Sequence, residues 1–364
     1  MKALTVGGAM IDTIALIDSD RIERMALSNA DTGFLLLEEG RKTEARDIST
    51  HCGGGAVNTA IAMARLGVDV STLIKLGRDA RADTILARLS EEGVSTRYAL
   101  RDSRAPTGAS VMVAAHDRNA AIFTFRGANT LLEPKDLKPD AFATELVYIA
   151  GLSNQSADCF GTIVRQAKDA GAMVATNPGL RQLTARQEAF YSSLDGIDLL
   201  SLNRTETDAL VPSLSTRIGE GGPALPLEPG EHAPALVARG FQSGGFALST
   251  AALLQALMDL GPKHILITDG RHGAYLADRA GLRYCPSLMV EVAGTAGAGD
   301  AFAATLSACV ADSMPLDTAL RAATINAAAV VGHIDTQTGL LDRETLLARV
   351  QDHAADLPIR FWCW

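Results

Sequence analysis

The chain has no run of Lys and Arg, no set of paired cysteines and no apolar stretch long enough to cross a bilayer. The first absence, with a formal net charge of −9 over 364 residues, argues against duplex nucleic acid or an anionic membrane surface as the main partner, since both need a basic face. Small ligands are the expected partners. The five cysteines, Cys52, Cys159, Cys285, Cys309 and Cys363, are odd in number, scattered and without metal-ligand spacing. That argues against a disulfide or zinc framework and suits free thiols in a reducing cytosol. Apolar runs are cut by charge well short of the roughly 20 residues a membrane helix needs; the Ala-rich stretch after Ala301 still holds Asp312 and Asp317. At the N-terminus, Gly7, Gly8 and Asp12 interrupt the apolar run before it can act as a targeting h-region, so it reads as a buried strand. A cytoplasmic protein is expected. No internal repeat is visible. What is present is 47% hydrophobic residues, enough to fill one large α/β domain with a small appendage, or two modest domains.

From about Gly55, short β-rich runs alternate with amphipathic helical patterns: Ala56 to Leu66, Ser71 to Leu76, Ala80 to Leu89. The alternation resumes with strands at 146–150, 173–175, 197–202 and 264–268 and implies a mostly parallel sheet covered by helices. Residues 289–292 read as a further strand, and everything after Gly297 reads as helices only. Two segments, 12–51 and 106–126, break the pattern. In the second, alternating residues at 109–113 and 121–125 flank a turn at Asp117-Arg-Asn119, which reads as antiparallel strands. Both segments leave neighbouring positions of the sheet, so they are expected to join in one small β-sheet lid over the active face. Residues 211–247 carry Pro212, Pro223, Pro226, Pro229 and Pro234 among seven glycines and read as a long irregular insertion.

The most informative segment is Gly294-Thr-Ala-Gly-Ala-Gly-Asp-Ala-Phe302, where a helical pattern begins. Glycines let backbone N–H groups converge at a helix N-terminus, which can hold a phosphate or stabilise the charge of one in transfer. Asp300 at that helix start is placed to take a proton from an attacking hydroxyl. Taken alone, Gly-Ala-Gly-Asp is better read as a tight turn whose Asp caps the helix. In Gly53-Gly-Gly-Ala-Val-Asn58 the glycines permit close backbone approach to a ligand and the Asn offers a polyol both donor and acceptor; the plain alternative is a glycine-rich turn.

Gly297-Ala-Gly-Asp300-Ala-Phe302 resembles the C-terminal signature of the ribokinase (PfkB) family, in which the Asp is the catalytic base and the preceding backbone, here Gly297, Ala298 and Gly299, forms an anion hole. Gly53 to Asn58, with the helical Thr59 to Gly67, is similar to the family's N-terminal signature, which implies substrate contacts from Gly53, Gly54 and Asn58. Val6-Gly-Gly-Ala-Met-Ile-Asp12 is similar to its first strand, whose Asp grips sugar hydroxyls. Arg126-Gly-Ala-Asn129 also fits, returning the chain from lid to core beside the substrate. Asn203-Arg-Thr-Glu206 resembles the motif that places a carboxylate near Mg²⁺, with Asn203 toward the ATP and Glu206 toward the metal, through water; without the family it would be a capped helix start. Ile267 to Ala274 matches the nucleotide-side loop, which sets Thr268, Gly270 and Gly273 at the ATP, and Asn326 is assigned there from a looser match to the adenine-side helix.

These motifs run in family order from residue 6 to about residue 339. The resemblance therefore implies a Rossmann-like ribokinase fold, a mostly parallel sheet flanked by helices with a small β-sheet lid. Residues 1–11, 52–105 and 127–364 would form the core, 12–51 and 106–126 the lid, and 211–247 an insertion within the core. It implies ATP and Mg²⁺, phosphorylation of an exocyclic hydroxyl, and a homodimer joined through the lids. Gly294 stands where the family usually has an Asp that helps hold a monovalent cation, so potassium activation is not implied. Met10 and Gly55 stand where ribokinase itself has Asn and Lys, which argues against ribose. A sugar kinase is the first reading, a nucleoside kinase the second, and a non-catalytic ligand-binding regulator the third. The joint presence of Asp300, Gly297 to Gly299 and Glu206 counts against the third.

Overall fold

In the core strands, alternate residues leave for opposite faces, and both faces are apolar. Leu146 and Tyr148 pack into one buried cluster and Val147 and Ile149 into the other, as do Ala3 against Leu4 and Val6. A computed structural model shows the result, a ten-stranded sheet between two helical layers; it describes residues 1–18, 22–26, 33–36, 39–40, 42–115, 120–227 and 232–364. From one edge the strands run Arg360–Cys363, Gly281–Cys285, Ala274–Asp278, His264–Thr268, Leu199–Asn203, Met173–Thr176, Leu146–Ile149, Lys2–Gly7, Asp69–Leu76 and Leu100–Arg101. All pairings from His264–Thr268 to Leu100–Arg101 are parallel and the remaining three are antiparallel. Helices Gly55–Arg65, Ala298–Ala311 and Leu316–Val331 fill one layer; Phe160–Asp169, Arg204–Ile218 and Thr250–Asp259 fill the other. Among the described residues no helix is long and apolar enough to cross a membrane, and all five cysteines are free.

A separate four-stranded sheet has the order Asp47–Gly53, Met10–Ile17, Gly108–Ala115, Ala120–Phe125. Its outer pairings are antiparallel, but its central pair, Met10–Ile17 with Gly108–Ala115, is parallel. Both strands leave the same end of the large sheet, one just after Lys2–Gly7 and the other after Leu100–Arg101, so they travel in one direction. The expected turn at Asp117 to Asn119 lies outside the described residues.

Three sequence expectations differ from the structure. The stretch 211–247 is more regular than its prolines suggest. Helix Arg204–Ile218 runs through Pro212, whose ring removes one backbone hydrogen bond and crowds the carbonyl one turn earlier. A second helix spans Ala235–Arg239, and Phe241–Ser243 pairs with Phe246–Leu248 across Gly244 and Gly245, both at positive φ as a tight hairpin loop requires. Pro229 lies outside the described residues. Residues 289–292 form no strand, and Met289 is 86% exposed. The chain also ends in a strand, Arg360–Cys363, that burying Trp362 secures on the sheet edge; Arg283 stacks over Phe361 and Arg360 over Trp362.

Candidate active site

The glycine motifs meet at the end of the large sheet where the parallel strands finish. Gly54 has φ +97°, and a Cβ there would lie 2.6 Å from the Gly8 carbonyl oxygen, so only glycine lets Gly55–Arg65 start against the first strand. Its neighbour Gly53 pairs near Met10, and a Cβ on it would sit 2.0 Å from Asp12 Oδ2. The missing side chain makes room for the Asp12 carboxylate. Ser110, opposite Asp12 in the small sheet, donates to Asp12 Oδ1. Burial raises the Asp12 carboxyl above its ordinary range, against the lowering effects of Ser110 and His51.

Gly297 is the left-handed residue that opens helix Ala298–Ala311, with φ +78° and Thr336 packed where a Cβ would be. The helix start has no side-chain cap. Asp300 therefore does not cap it; its Oδ2 accepts from Asn58 Nδ2 at 2.8 Å. Asn58 is itself buried, and its Oδ1 accepts from Thr336 Oγ1 at 2.8 Å and Gln337 Nε2 at 3.3 Å. Its amide is thus engaged within the protein, holding the Asp300 carboxylate. Burial raises the Asp300 carboxyl, Asn58 opposes this, and the negative charge of Asp12 adds to it. A further glycine, Gly55, lets the motif close on the end of strand Leu146–Ile149: a Cβ there would meet Ala150 Cβ at 2.8 Å and Asp300 Oδ1 at 3.7 Å. Asp12, Asn58 and Asp300 are brought together although they lie far apart in the chain.

Arg126 follows the small sheet's last strand and donates to Ser153 Oγ at 2.8 Å, beyond the end of Leu146–Ile149. Asn129, from the same motif, locks onto Ala9 by accepting from its N–H at 2.9 Å and donating to its carbonyl at 2.8 Å. On the other side of the sheet's midpoint, Asn203 and Thr268 are direct partners at neighbouring strand ends. Beyond Thr268, Gly270 and Gly273 have φ +54° and +93°, and a Cβ on Gly273 would strike the Cys285 carbonyl at 2.4 Å.

Asn203 caps helix Arg204–Ile218, accepting from Glu206 N–H at 2.9 Å, while Glu206 Oε2 accepts from the Asn203 N–H at 2.9 Å and from Asn177 Nδ2 at 3.0 Å. This is a full capping box. Glu206 Oε1 has no hydrogen-bond partner among the described residues. Burial raises the Glu206 carboxyl, the bonds from Asn203 and Asn177 oppose this, and the charge of Asp300 adds to the rise. No group of three or more His, Cys, Asp or Glu among the described residues could cage a metal. Asn326 does not join this site. It is fully buried, donating to Thr305 Oγ1 at 2.8 Å and accepting from Leu341 N–H at 3.0 Å, a tie between helices and the segment after them.

Residues 14–343 match the pattern described as pfkB family carbohydrate kinase. The chain belongs to that family. Its members are phosphotransferases acting on sugar hydroxyls, and this pfkB kinase is 27% identical to a deoxyribokinase of Salmonella typhi over 330 residues, 89% of its own length and 94% of the relative's. It is 26% identical to a ribokinase of Arabidopsis thaliana over 320 residues, covering 86% and 75% of the two chains. Among solved structures, that of Arabidopsis thaliana ribokinase complexed with ribose and ATP aligns over 96% of this chain and 98% of its own, with a TM-score of 0.70 at 21% identity. A putative ribokinase II from E. coli in complex with ATP and Mg²⁺ aligns over 97% and 99%, with a TM-score of 0.72 at 17% identity. At these identities the structures bear on the fold, and the fold of the pfkB kinase is theirs. Sequence reading missed the residues that hold its site from behind, namely Ser110, Ser153, Asn177, Thr336 and Gln337. Only Ser110 had a signal, its alternation with the apolar residues of a short strand.

Proposed function

We propose that this pfkB kinase transfers the γ-phosphoryl group of ATP to an exocyclic hydroxyl of a sugar, with Asp300 as general base. The supporting observation is the environment of Asp300, a buried carboxylate at the uncapped start of a helix, held by Asn58 and raised toward the working range of a base. Asp12, seated in the space that Gly53 leaves, accepts hydrogen bonds from sugar hydroxyls, with the Gly53 and Gly54 backbone alongside. Asp300 takes the proton of the attacking hydroxyl as its oxygen bonds to the γ-phosphorus and the bond to the ADP oxygen breaks. The unpaired first N–H groups of Ala298–Ala311, at Ala298, Gly299 and Asp300, accept the charge that builds on the phosphoryl oxygens. Asn203, Thr268, Gly270 and Gly273 border the nucleotide. Mg²⁺ carried by the phosphates neutralises their charge and needs only one or two protein carboxylates; Glu206, with Oε1 free, fits that role through water.

The small sheet acts as the lid, since its Asp12 face looks into the site. Its opposite face exposes Ile48, Val111, Phe123 and Phe125, an apolar surface that a second copy of the chain covers in a homodimer. Free thiols and dependence on ATP suit the cytoplasm. ADP release from Mg-ATP across ketoses, aldoses, sugar acids and nucleosides, with wild type beside Asp300→Asn, tests the reading. Turnover on one sugar that the variant abolishes is expected. Turnover on nucleosides alone would make it a nucleoside kinase, and tight ligand binding without any turnover would make it a regulator.

A further inference from the structure

The Asn58 amide can face Asp300 in two ways, and only one of them suits a base. With Nδ2 toward the carboxylate, as it stands at 2.8 Å, the amide offers Asp300 a donor and favours the charged form. Turned over, it would offer an oxygen, which bonds only to the protonated acid. Thr336 does not choose between the two, because its hydroxyl, 2.8 Å from Asn58 Oδ1, can donate or accept. Gln337 decides it: its Nε2 donates to Asn58 Oδ1 at 3.3 Å and to the Cys52 carbonyl at 2.7 Å, and a backbone carbonyl takes only a donor. The other end of the Gln337 amide is fixed by the same logic. Its Oε1 accepts from Arg88 Nε at 3.1 Å, and a guanidinium has no acceptor to offer. Arg88 is paired in turn with Glu92, which also takes two bonds from Arg65, at 2.9 and 2.7 Å. Arg65 ends the helix Gly55–Arg65 that carries Asn58, and its Nη1 donates to the Gln337 and Leu340 carbonyls at 2.9 Å each. Gln337 is 4% exposed, so its bonds form away from water, where they count for more.

We propose that Gln337 is a positioning residue for phosphoryl transfer, fixing the Asn58 amide with its NH2 toward Asp300 so that the base is offered a donor and no acceptor. Gln337 touches no reacting atom and acts through Asn58. The inference rests on the reading of Asp300 as base, yet it concerns the state of a carboxyl that can be followed without turnover, so the two can fail separately. The other ionisable groups whose charge reaches Asp300 are Asp12 on Met10–Ile17, Glu206 on Arg204–Ile218 and Tyr148 on Leu146–Ile149. The test leaves all three in place.

The test is infrared titration of the Asp300 carboxyl in the ligand-free protein, its band identified by subtracting the spectrum of Asp300→Asn, beside the pH profile of kcat/KM. It is run on wild type, Gln337→Met and Gln337→Leu. Both replacements are neutral, of similar size and without a donor, so either one that folds serves. Once the Asn58 amide is free to turn, protonated Asp300 can donate to its oxygen, and the Asp300 midpoint should rise by about one pH unit. The acid limb of kcat/KM should move up with it, while kcat on the alkaline side stays within about threefold of wild type and the KM for sugar is unchanged. A midpoint that rises while the limb stays where it was would keep this inference and sink Asp300 as the base. A midpoint unmoved in the folded variants, even with kcat lowered at every pH as a purely structural role predicts, would overturn it.

Discussion

The Asn58 amide donates to the Asp300 carboxylate at 2.8 Å across 242 positions of sequence, so the two signature motifs of this pfkB kinase meet in one hydrogen bond. That bond favours the charged form of Asp300 while burial and the Asp12 charge favour the protonated form.

Removing the base by Asp300→Asn should lower kcat by roughly 10²- to 10⁴-fold with ATP affinity little changed. An undiminished rate in steady-state assays would take Asp300 out of the chemistry.

The same substitution should stabilise the fold. Because the folded-state pKa of Asp300 is raised, its contribution to stability is full at low pH, where the carboxyl is protonated in both states, and is lost as pH rises through the folded value. Asp300→Asn should therefore melt higher than wild type at pH 7, with the gap closing toward pH 4. Parallel melting curves at both pH values decide it.

Asn58→Ala withdraws the bond that lowers the Asp300 pKa, so the acid limb of the kcat/KM profile should move to higher pH. Lost activity with an unmoved limb would mean that Asn58 serves only to shape the pocket.

Gly294 brings no carboxylate of its own to the carbonyls of His333 and Ile334; a Cβ at this position would stand 3.0 and 3.3 Å from their oxygens. Replacing potassium with choline should leave turnover within about twofold, since the glycine supplies no carboxylate whose charge would hold a monovalent cation there. Strong potassium activation would overturn this.

The glycine clusters were legible in the sequence because each glycine answers a local steric demand, at Gly54 a close backbone and at Gly297 a left-handed turn. The alternation of apolar residues likewise gave the sheet and its two helical layers. The parallel pairing of Met10–Ile17 with Gly108–Ala115 was not legible, because each strand alternates the same way whichever direction its partner runs. Helix Arg204–Ile218 hid behind Pro212, where tertiary packing of Leu210, Val211 and Leu214 outweighs the missing hydrogen bond and the crowding by the ring. Asn326 was assigned to the nucleotide by a loose likeness, and its ties to Thr305 and Leu341 had no mark in the sequence, since each partner lies 15 or more residues away.

The space that Gly53 leaves for Asp12 makes the two positions one heritable unit. A methyl at 53 would stand 2.0 Å from the carboxylate oxygen, so Gly53→Ala must expel Asp12 from its place, and Asp12→Ala removes the obstacle. In a double-mutant cycle the pair should therefore be strongly non-additive in stability, the second change costing little once the first is made. A change at either position is therefore read against the residue at the other, and a library that randomised both should return them as correlated pairs.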